Sequence, residues 1–209
     1  MAPAQPNLSI LRGFIILEEV ITSTRPLGSR EISRTLGYEH SHVNRILGTL
    51  CETGMLRQNN ERKYLPGPRI HFLATLSLNA SGLIQASLPI LEPFHVMGAV
   101  VAVGTVWREN VIYLLHALPT MDLASSAGVH EQYPKNKSII GKVLTPEAPN
   151  CAYEDRQKTN TRAWGARIGS YEFAIAIVLP LDHPKANPPK EMLCMTEQAA
   201  EQINNRIFC

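Results

Sequence analysis

A long apolar run is the first thing missing from this chain. Nowhere in its 209 residues do eighteen apolar side chains follow one another, and the longest candidates, GAVVAVGTVW (Gly98 to Trp107) and FAIAIVLPL (Phe173 to Leu181), are strand-sized. No membrane span is expected, because crossing the hydrocarbon core as a helix takes about twenty residues. The opening MAPAQPN has neither a basic region nor an apolar core of the secretory type, so a cytoplasmic location is expected. Cysteine is sparse and scattered. Cys51, Cys151, Cys194 and Cys209 form no Cys-x-x-Cys pair, which fits neither a zinc site nor a disulfide framework and predicts reduced thiols.

Catalytic signatures are lacking too. SIIGKV (Ser138 to Val143) contains Gly-Lys, but Asn136 stands where a phosphate loop has its first glycine and Val143 replaces the required Ser or Thr. SSAG (Ser125 to Gly128) lacks the preceding glycine of a nucleophile elbow. His116, His130 and His183 have no evident Ser or Asp partner in sequence, and the His-x-His of His40 and His42 has no carboxylate or Cys beside it. Neither an enzyme, a cofactor nor a bound metal is expected.

What the chain does have is enough apolar content for ordinary cores, 44%, and a net charge of +2 that hides an asymmetry. Met1 to Arg69 carries nine Lys and Arg against six Glu, and the remainder eleven against twelve acidic residues. The basic excess lies at the front, and a merely solvated surface explains so small an excess as well as an anionic partner does.

Periodicity places a first helix over Ser9 to Ile21, with Ser9 as cap and Ile10, Phe14, Leu17 and Ile21 as its buried stripe. Turn chemistry in TSTRPLG leads to a short second helix capped by Ser29, with Leu27 as a hydrophobic staple, Ile32 and Leu36 inward and Gly37 at its end. A third helix, His40 to Glu52, buries Val43, Ile46, Leu47 and Leu50. At about 100° per residue, Ser41, Arg45, Gly48 and Glu52 then point away from that stripe, flanked by Asn44, Thr49 and His42. Met55 to Gln58 and Arg62 to Pro66 read as a hairpin around Asn59-Asn60 that clusters Arg57, Arg62 and Lys63.

Two helices joined by a tight turn containing Gly and followed by a basic hairpin form a winged helix-turn-helix. A B-DNA major groove about 12 Å wide admits one helix, and a wing can straddle the neighbouring backbone. Small polar residues near the helix start let backbones approach and favour phosphate. The candidate contacts to double-stranded DNA are Ser29, Arg30, His40, Ser41, His42, Asn44, Arg45, Thr49, Arg57, Arg62 and Lys63, with Arg45 suited to guanine and Asn44 to adenine or phosphate. The alternative is a winged-helix protein-interaction module without DNA binding, which Glu39 and Glu52 favour slightly because carboxylates repel phosphate.

Further along, Pro68 to Leu83 reads as a helix apolar on more than one side, a linker buried against a partner. Leu83 to Met97 is a helix interrupted by Pro89 and Pro93. Strands are expected at Gly98 to Trp107, Val111 to Leu118 and Met121 to His130, a helix from Asn136, alternation over Trp164 to Leu181, and an amphipathic helix over Pro189 to Ile207. Hairpins with segregated helices predict an α+β fold with an antiparallel sheet.

Residues Ser9 to Gly67 resemble the N-terminal domain of IclR-type bacterial transcriptional regulators. The likeness rests on Glu31-Ile32-Ser33, Gly37, the run Ser41 to Leu47, Leu50, Gly54 and Tyr64-Leu65-Pro66-Gly67. His42 stands where that family usually has Thr, and Glu39 where it has Pro or a basic residue. Beyond Gly67, GVHEQYPKNKSIIGKVL and GSYEFAIAIVLPLD resemble parts of the family's GAF-like effector domain, here about forty residues short. The resemblance implies a winged helix-turn-helix over 1–67, a linker helix over 68–82 and a shortened effector and oligomerisation domain over 83–209. It further implies a small organic-acid or aromatic effector, and dimers pairing into tetramers. Asn136, Lys137, Ser138 and Gly141, at the start of the helix expected there, are the candidate effector contacts; Ser138 as a cap and Lys137 as a solvated side chain explain them equally well. A homodimer on a pseudo-palindromic site is expected, since one winged helix makes few base contacts.

Overall fold

A computed structural model describes residues 5–170 and 172–207. The chain divides into two compact units, Met1–Ser77 and Leu78–Cys209.

In the first unit, α1 (Leu8–Thr22), α2 (Ser29–Leu36) and α3 (His40–Glu52) precede a two-stranded hairpin, β1 (Leu56–Gln58) and β2 (Tyr64–Pro66), and α4 begins at Pro68 and runs to Ala80. Its core gathers Ile16, Leu17, Val20, Leu27, Ile32, Val43, Leu47 and Leu56. Three expectations change here. The cap of α1 is Asn7, whose carboxamide accepts from the Ser9 and Ile10 N–H groups, because Asn7 has the extended backbone that a capping position needs. Of the stripe expected on α1 only Leu17 is buried, while Ile10, Phe14 and Ile21 are exposed and Ile16 and Val20 take the core. Gly28, not Ser29, caps α2, which leaves the Ser29 hydroxyl for another partner. The hairpin turn has a positive φ at Arg62. Asn59 closes that turn by accepting from the Glu61 and Lys63 N–H groups.

The second unit opens with α5 (Leu83–Val96) and folds a six-stranded antiparallel sheet in the order β5-β4-β3-β8-β7-β6. These strands are β3 (Val100–Trp107), β4 (Asn110–Ala117), β5 (Ala127–Pro134), β6 (Cys151–Arg156), β7 (Thr161–Arg167) and β8 (Phe173–Pro180). Short α6 (Ile139–Val143) lies between β5 and β6, and α7 (Pro189–Ile207) closes the chain. Pleating sorts the side chains. Val101, Val103, Leu115, Trp164, Ile175, Ile177 and Leu179 pack beneath α5 and α7, while the opposite face presents Ala102, Ala163, Ala174 and Ala176 to Ile139, Ile140 and Val143 of α6. One face is large-residue and doubly covered; the other is small-residue and covered by a single short helix.

Four more expectations change. α5 runs unbroken through Pro89 and Pro93, because both prolines lie on its exposed side, where water can meet the carbonyls they free, while Ile90, Leu91 and Phe94 anchor the buried side. The third strand of this sheet begins at Ala127 rather than Met121, after a short 3-10 turn; the side chains of residues 128–132, including His130, lie outside the described residues. The helix expected from Asn136 starts at Ile139, preceded by a 3-10 turn over Lys135–Lys137. A strand, β6, occupies a stretch to which no element was assigned. Among the described residues no helix is long and apolar enough to cross a membrane.

Candidate nucleic-acid interface

The turn between α2 and α3 is held by its own backbone. Gly37 adopts the left-handed conformation at φ 67° and closes α2 with its N–H to Ser33 O, and the Ser33 hydroxyl donates to Tyr38 O at 2.6 Å. A side chain with a β-carbon at Gly37 would be strained at this φ. Glu39 then caps α3. Its carboxylate accepts from the Ser41 and His42 N–H groups at 3.0 and 3.1 Å and from the Ser41 hydroxyl. These bonds, the Ser41 hydroxyl first and then the two backbone N–H groups, hold the Glu39 carboxyl below the ordinary carboxylate range. A residue that sequence alone set against DNA therefore has an architectural task.

Clamped by Ile32, Val43 and Leu47, each fully buried, α3 leaves Ser41, Asn44, Arg45, Gly48 and Thr49 exposed on one side. Polar contacts order this side. The Ser29 hydroxyl lies 3.1 Å from His40 Nε2, and the Asn44 carboxamide nitrogen stands 3.3 Å from the same atom. His42 faces two guanidinium groups, with Arg45 Nη2 3.3 Å from Nδ1 and Arg12 Nη1 3.4 Å from Nε2. A neutral imidazole accepts at only one nitrogen, so it takes one of the two donors at a time. Thr49 donates to Arg45 O at 3.1 Å.

Arg12 was not singled out from the sequence. It reaches α3 from α1 and sits 5.4 Å from the Tyr38 ring centroid, and only the α1 to α3 packing reveals it. Arg30 is exposed on α2, and Arg57 and Arg62 are exposed on the hairpin; Lys63 pairs with Glu61 at 2.9 Å, which lowers its availability to an anion. Beside α3 an open groove of about 630 Å³ runs along α1, with Ile10, Phe14, Ile46, Leu50 and Met55 in its walls and Arg45 at its polar edge.

The four candidate effector contacts do not converge. Asn136 and Lys137 are exposed, and Ser138 is buried with its hydroxyl 3.1 Å from Tyr113 Oη. Gly141 is a packing position, since a Cβ there would stand 2.2 Å from Lys135 O. His40 and His42 have separate partners, and no group of three His, Cys, Asp or Glu side chains suited to a metal occurs among the described residues.

Residues 9–60 match the IclR helix-turn-helix domain. In fold, the chain is similar to an IclR family transcriptional regulator from Brucella abortus, at 14% identity and TM-score 0.76, over 99% of this chain and 96% of that one. An IclR transcriptional regulator from Alicyclobacillus acidocaldarius aligns at 15% identity and TM-score 0.67, over 96% and 99%. An IclR homolog from Microbacterium hydrocarbonoxydans, complexed with 4-hydroxybenzoate, aligns at 16% identity and TM-score 0.61, over 95% and 98%. No curated protein matches the chain in sequence. Residues 9–60 thus carry an IclR-type helix-turn-helix domain, and the chain has the fold of solved IclR family regulators.

Proposed function

We propose that this protein binds DNA sequence-specifically as a homodimer on a pseudo-palindromic operator, with α3 in the major groove, the β1–β2 wing on the flanking backbone and a small-molecule effector governing occupancy. One observation carries the reading. A helix whose inner side is fully buried at Val43 and Leu47 keeps Asn44, Arg45 and Thr49 on an exposed outer side, which is the arrangement that base readout requires. Arg45 contacts guanine, Asn44 adenine or phosphate, and Ser29, Arg30, His40, Ser41, His42, Arg57, Arg62 and Lys63 supply supporting contacts. The dimer uses the apolar surfaces of α1 and α4, where Phe14 is 59% and Phe72 60% exposed. The complex of a fold relative with 4-hydroxybenzoate supports an organic-acid or aromatic effector, taken up by a shortened C-terminal domain in a cytoplasmic, non-enzymatic regulator.

Selection of bound duplexes from a random pool, followed by titration of the winning sequence across salt concentrations, tests this. Expected are an inverted repeat and a log affinity that falls steeply with log salt, because neutralised phosphates release counterions. No enriched sequence, together with salt-independent association, would overturn the reading in favour of the protein-interaction module.

A further inference from the structure

Between α1 and α3 one imidazole faces two guanidinium groups. The root of that side chain, His42, is fixed: its backbone N–H donates to the Glu39 carboxylate at 3.1 Å, and the next residue, Val43, is fully buried. The ring itself is half-buried. α1 packs across α3 with Gly13 towards Ile46, where a Cβ would lie 4.0 Å from Ile46 Cγ2, and Arg12 beside that glycine reaches the imidazole one turn earlier on α3. Arg12 Nη1 lies 3.4 Å from Nε2, and Arg45 Nη2 lies 3.3 Å from Nδ1.

Its protons decide what this ring can do. A guanidinium only donates, and a neutral imidazole has one acceptor nitrogen and one N–H. With the proton on Nε2 the ring accepts Arg45 at Nδ1 and turns an N–H towards Arg12; with the proton on Nδ1 it accepts Arg12 at Nε2 and turns an N–H towards Arg45. The two arginines therefore compete for one lone pair. They differ in what else they meet. Arg12 has the Tyr38 ring 5.4 Å away and keeps that partner when it yields the imidazole, whereas the exposed Arg45 side chain gains order from the contact. A long side chain held in place before binding loses less rotamer freedom when it meets a base. One N–H given to His42 leaves the rest of the guanidinium fork for a planar, bidentate contact.

We infer that His42 is a positioning residue for base readout: its Nδ1 holds the Arg45 guanidinium ready for a base, and Arg12, by taking Nε2 instead, sets how often it does so. The inference rests on the DNA-binding reading above and deepens it. Its readout, on the full chain, is discrimination: the ratio of dissociation constants for the selected operator and for a duplex altered at the base pair whose preference Arg45→Ala relaxes. His42→Ala is expected to lower that discrimination about two- to tenfold, the span of one hydrogen bond's net worth, and to add nothing in an Arg45→Ala background. Rescue separates orientation from mere support of the helix. His42→Asn puts an acceptor oxygen near the place of Nδ1 and is expected to keep the discrimination; His42→Gln puts one near the place of Nε2, on the Arg12 side, and is expected to lose it as Ala does. Arg12→Met, which removes the competitor, is expected to raise discrimination about twofold in the unmodified protein and to leave it unchanged in the His42→Asn background. Melting curves accompany each variant, and if His42→Ala does not fold, the Asn and Gln pair decides alone. Discrimination untouched by His42→Ala, equal discrimination in the Asn and Gln variants, or an Arg45→Ala protein with no base position relaxed overturns the inference; an unaltered value in Arg12→Met removes Arg12 from it. The two readings fail apart. A random pool that yields no enriched sequence sinks DNA binding and this inference with it, while an Arg45-dependent base preference that ignores His42 sinks this inference alone.

Discussion

Ser29 and His40, eleven positions apart, meet across the turn that joins α2 to α3, with the serine hydroxyl 3.1 Å from imidazole Nε2. The bond ties the start of one helix to the start of the next, and Asn44 leans on the same imidazole. Ser29→Ala is expected to weaken operator binding by about 0.5–1.5 kcal/mol, the usual net worth of one hydrogen bond, with little change in the salt slope. Titration of a selected duplex at two salt concentrations reads both quantities.

Arg45 is the outward side chain best formed for bidentate base recognition. Its replacement by Ala is expected to cost about 1–3 kcal/mol in operator affinity and to relax preference at one base position. By contrast, Arg57→Ala on the wing is expected to lower affinity similarly for all sequences and to reduce the salt slope by about one. Binding titrations against single-base operator variants separate the two behaviours.

Leu47 is fully buried at the centre of the first unit. Leu47→Ala is expected to destabilise that unit by about 2–5 kcal/mol through lost burial and the cavity left behind. In the second unit, Gly141→Ala drives a methyl against the Lys135 carbonyl at 2.2 Å, and about 1–3 kcal/mol is expected from the forced shift. Denaturant melts of the two variants measure both.

Glu39 makes stability depend on pH. Its folded-state pKa is depressed, so the protection it gives is complete above the ordinary glutamate value of 4.5 and is lost as pH falls through the depressed folded value. Melting curves between pH 7 and pH 3 are expected to show the unmodified protein above Glu39→Gln at the upper end and the two converging at the lower.

Phe14 and Phe72 are large, apolar and exposed. Changing both to Ser is expected to leave the melting midpoint of the monomer nearly unchanged, as exposed substitutions shift stability within about 0.5 kcal/mol, while raising the dimer dissociation constant at least tenfold. Sedimentation over a concentration series decides it.

How much of this was legible depends on which physical term fixed each residue. α3 could be read because Val43, Ile46, Leu47 and Leu50 leave only one apolar side. On α1 the run ILRGFIILEEVI supports two stripes, and the packing of α3 chose Ile16, Leu17 and Val20 over Ile10, Phe14 and Ile21. The capping role of Glu39 escaped notice because glutamate lies outside the residues favoured at helix starts, and Arg12 because its contact with His42 spans thirty positions. At the other end of the chain, Pro189 to Ile207 was visible to the residue. β6 was not, since CAYEDR alternates polar and apolar groups too weakly to declare a strand at a sheet edge.

The strand order carries a last implication. β3, β4 and β5 form one consecutive meander and β6, β7 and β8 another, and the two are stitched only where Val100 to Thr105 run beside Phe173 to Val178. That stitch joins segments far apart in the chain, so its closure bears the largest loop entropy of the sheet and is expected to come late in folding. A polypeptide cut short before Phe173 would keep a complete half-sheet with a bare, apolar margin, and such margins recruit other strands. Arrival of β8, rather than the emergence of the helix-turn-helix, is therefore expected to set the moment at which this sheet becomes safe from aggregation.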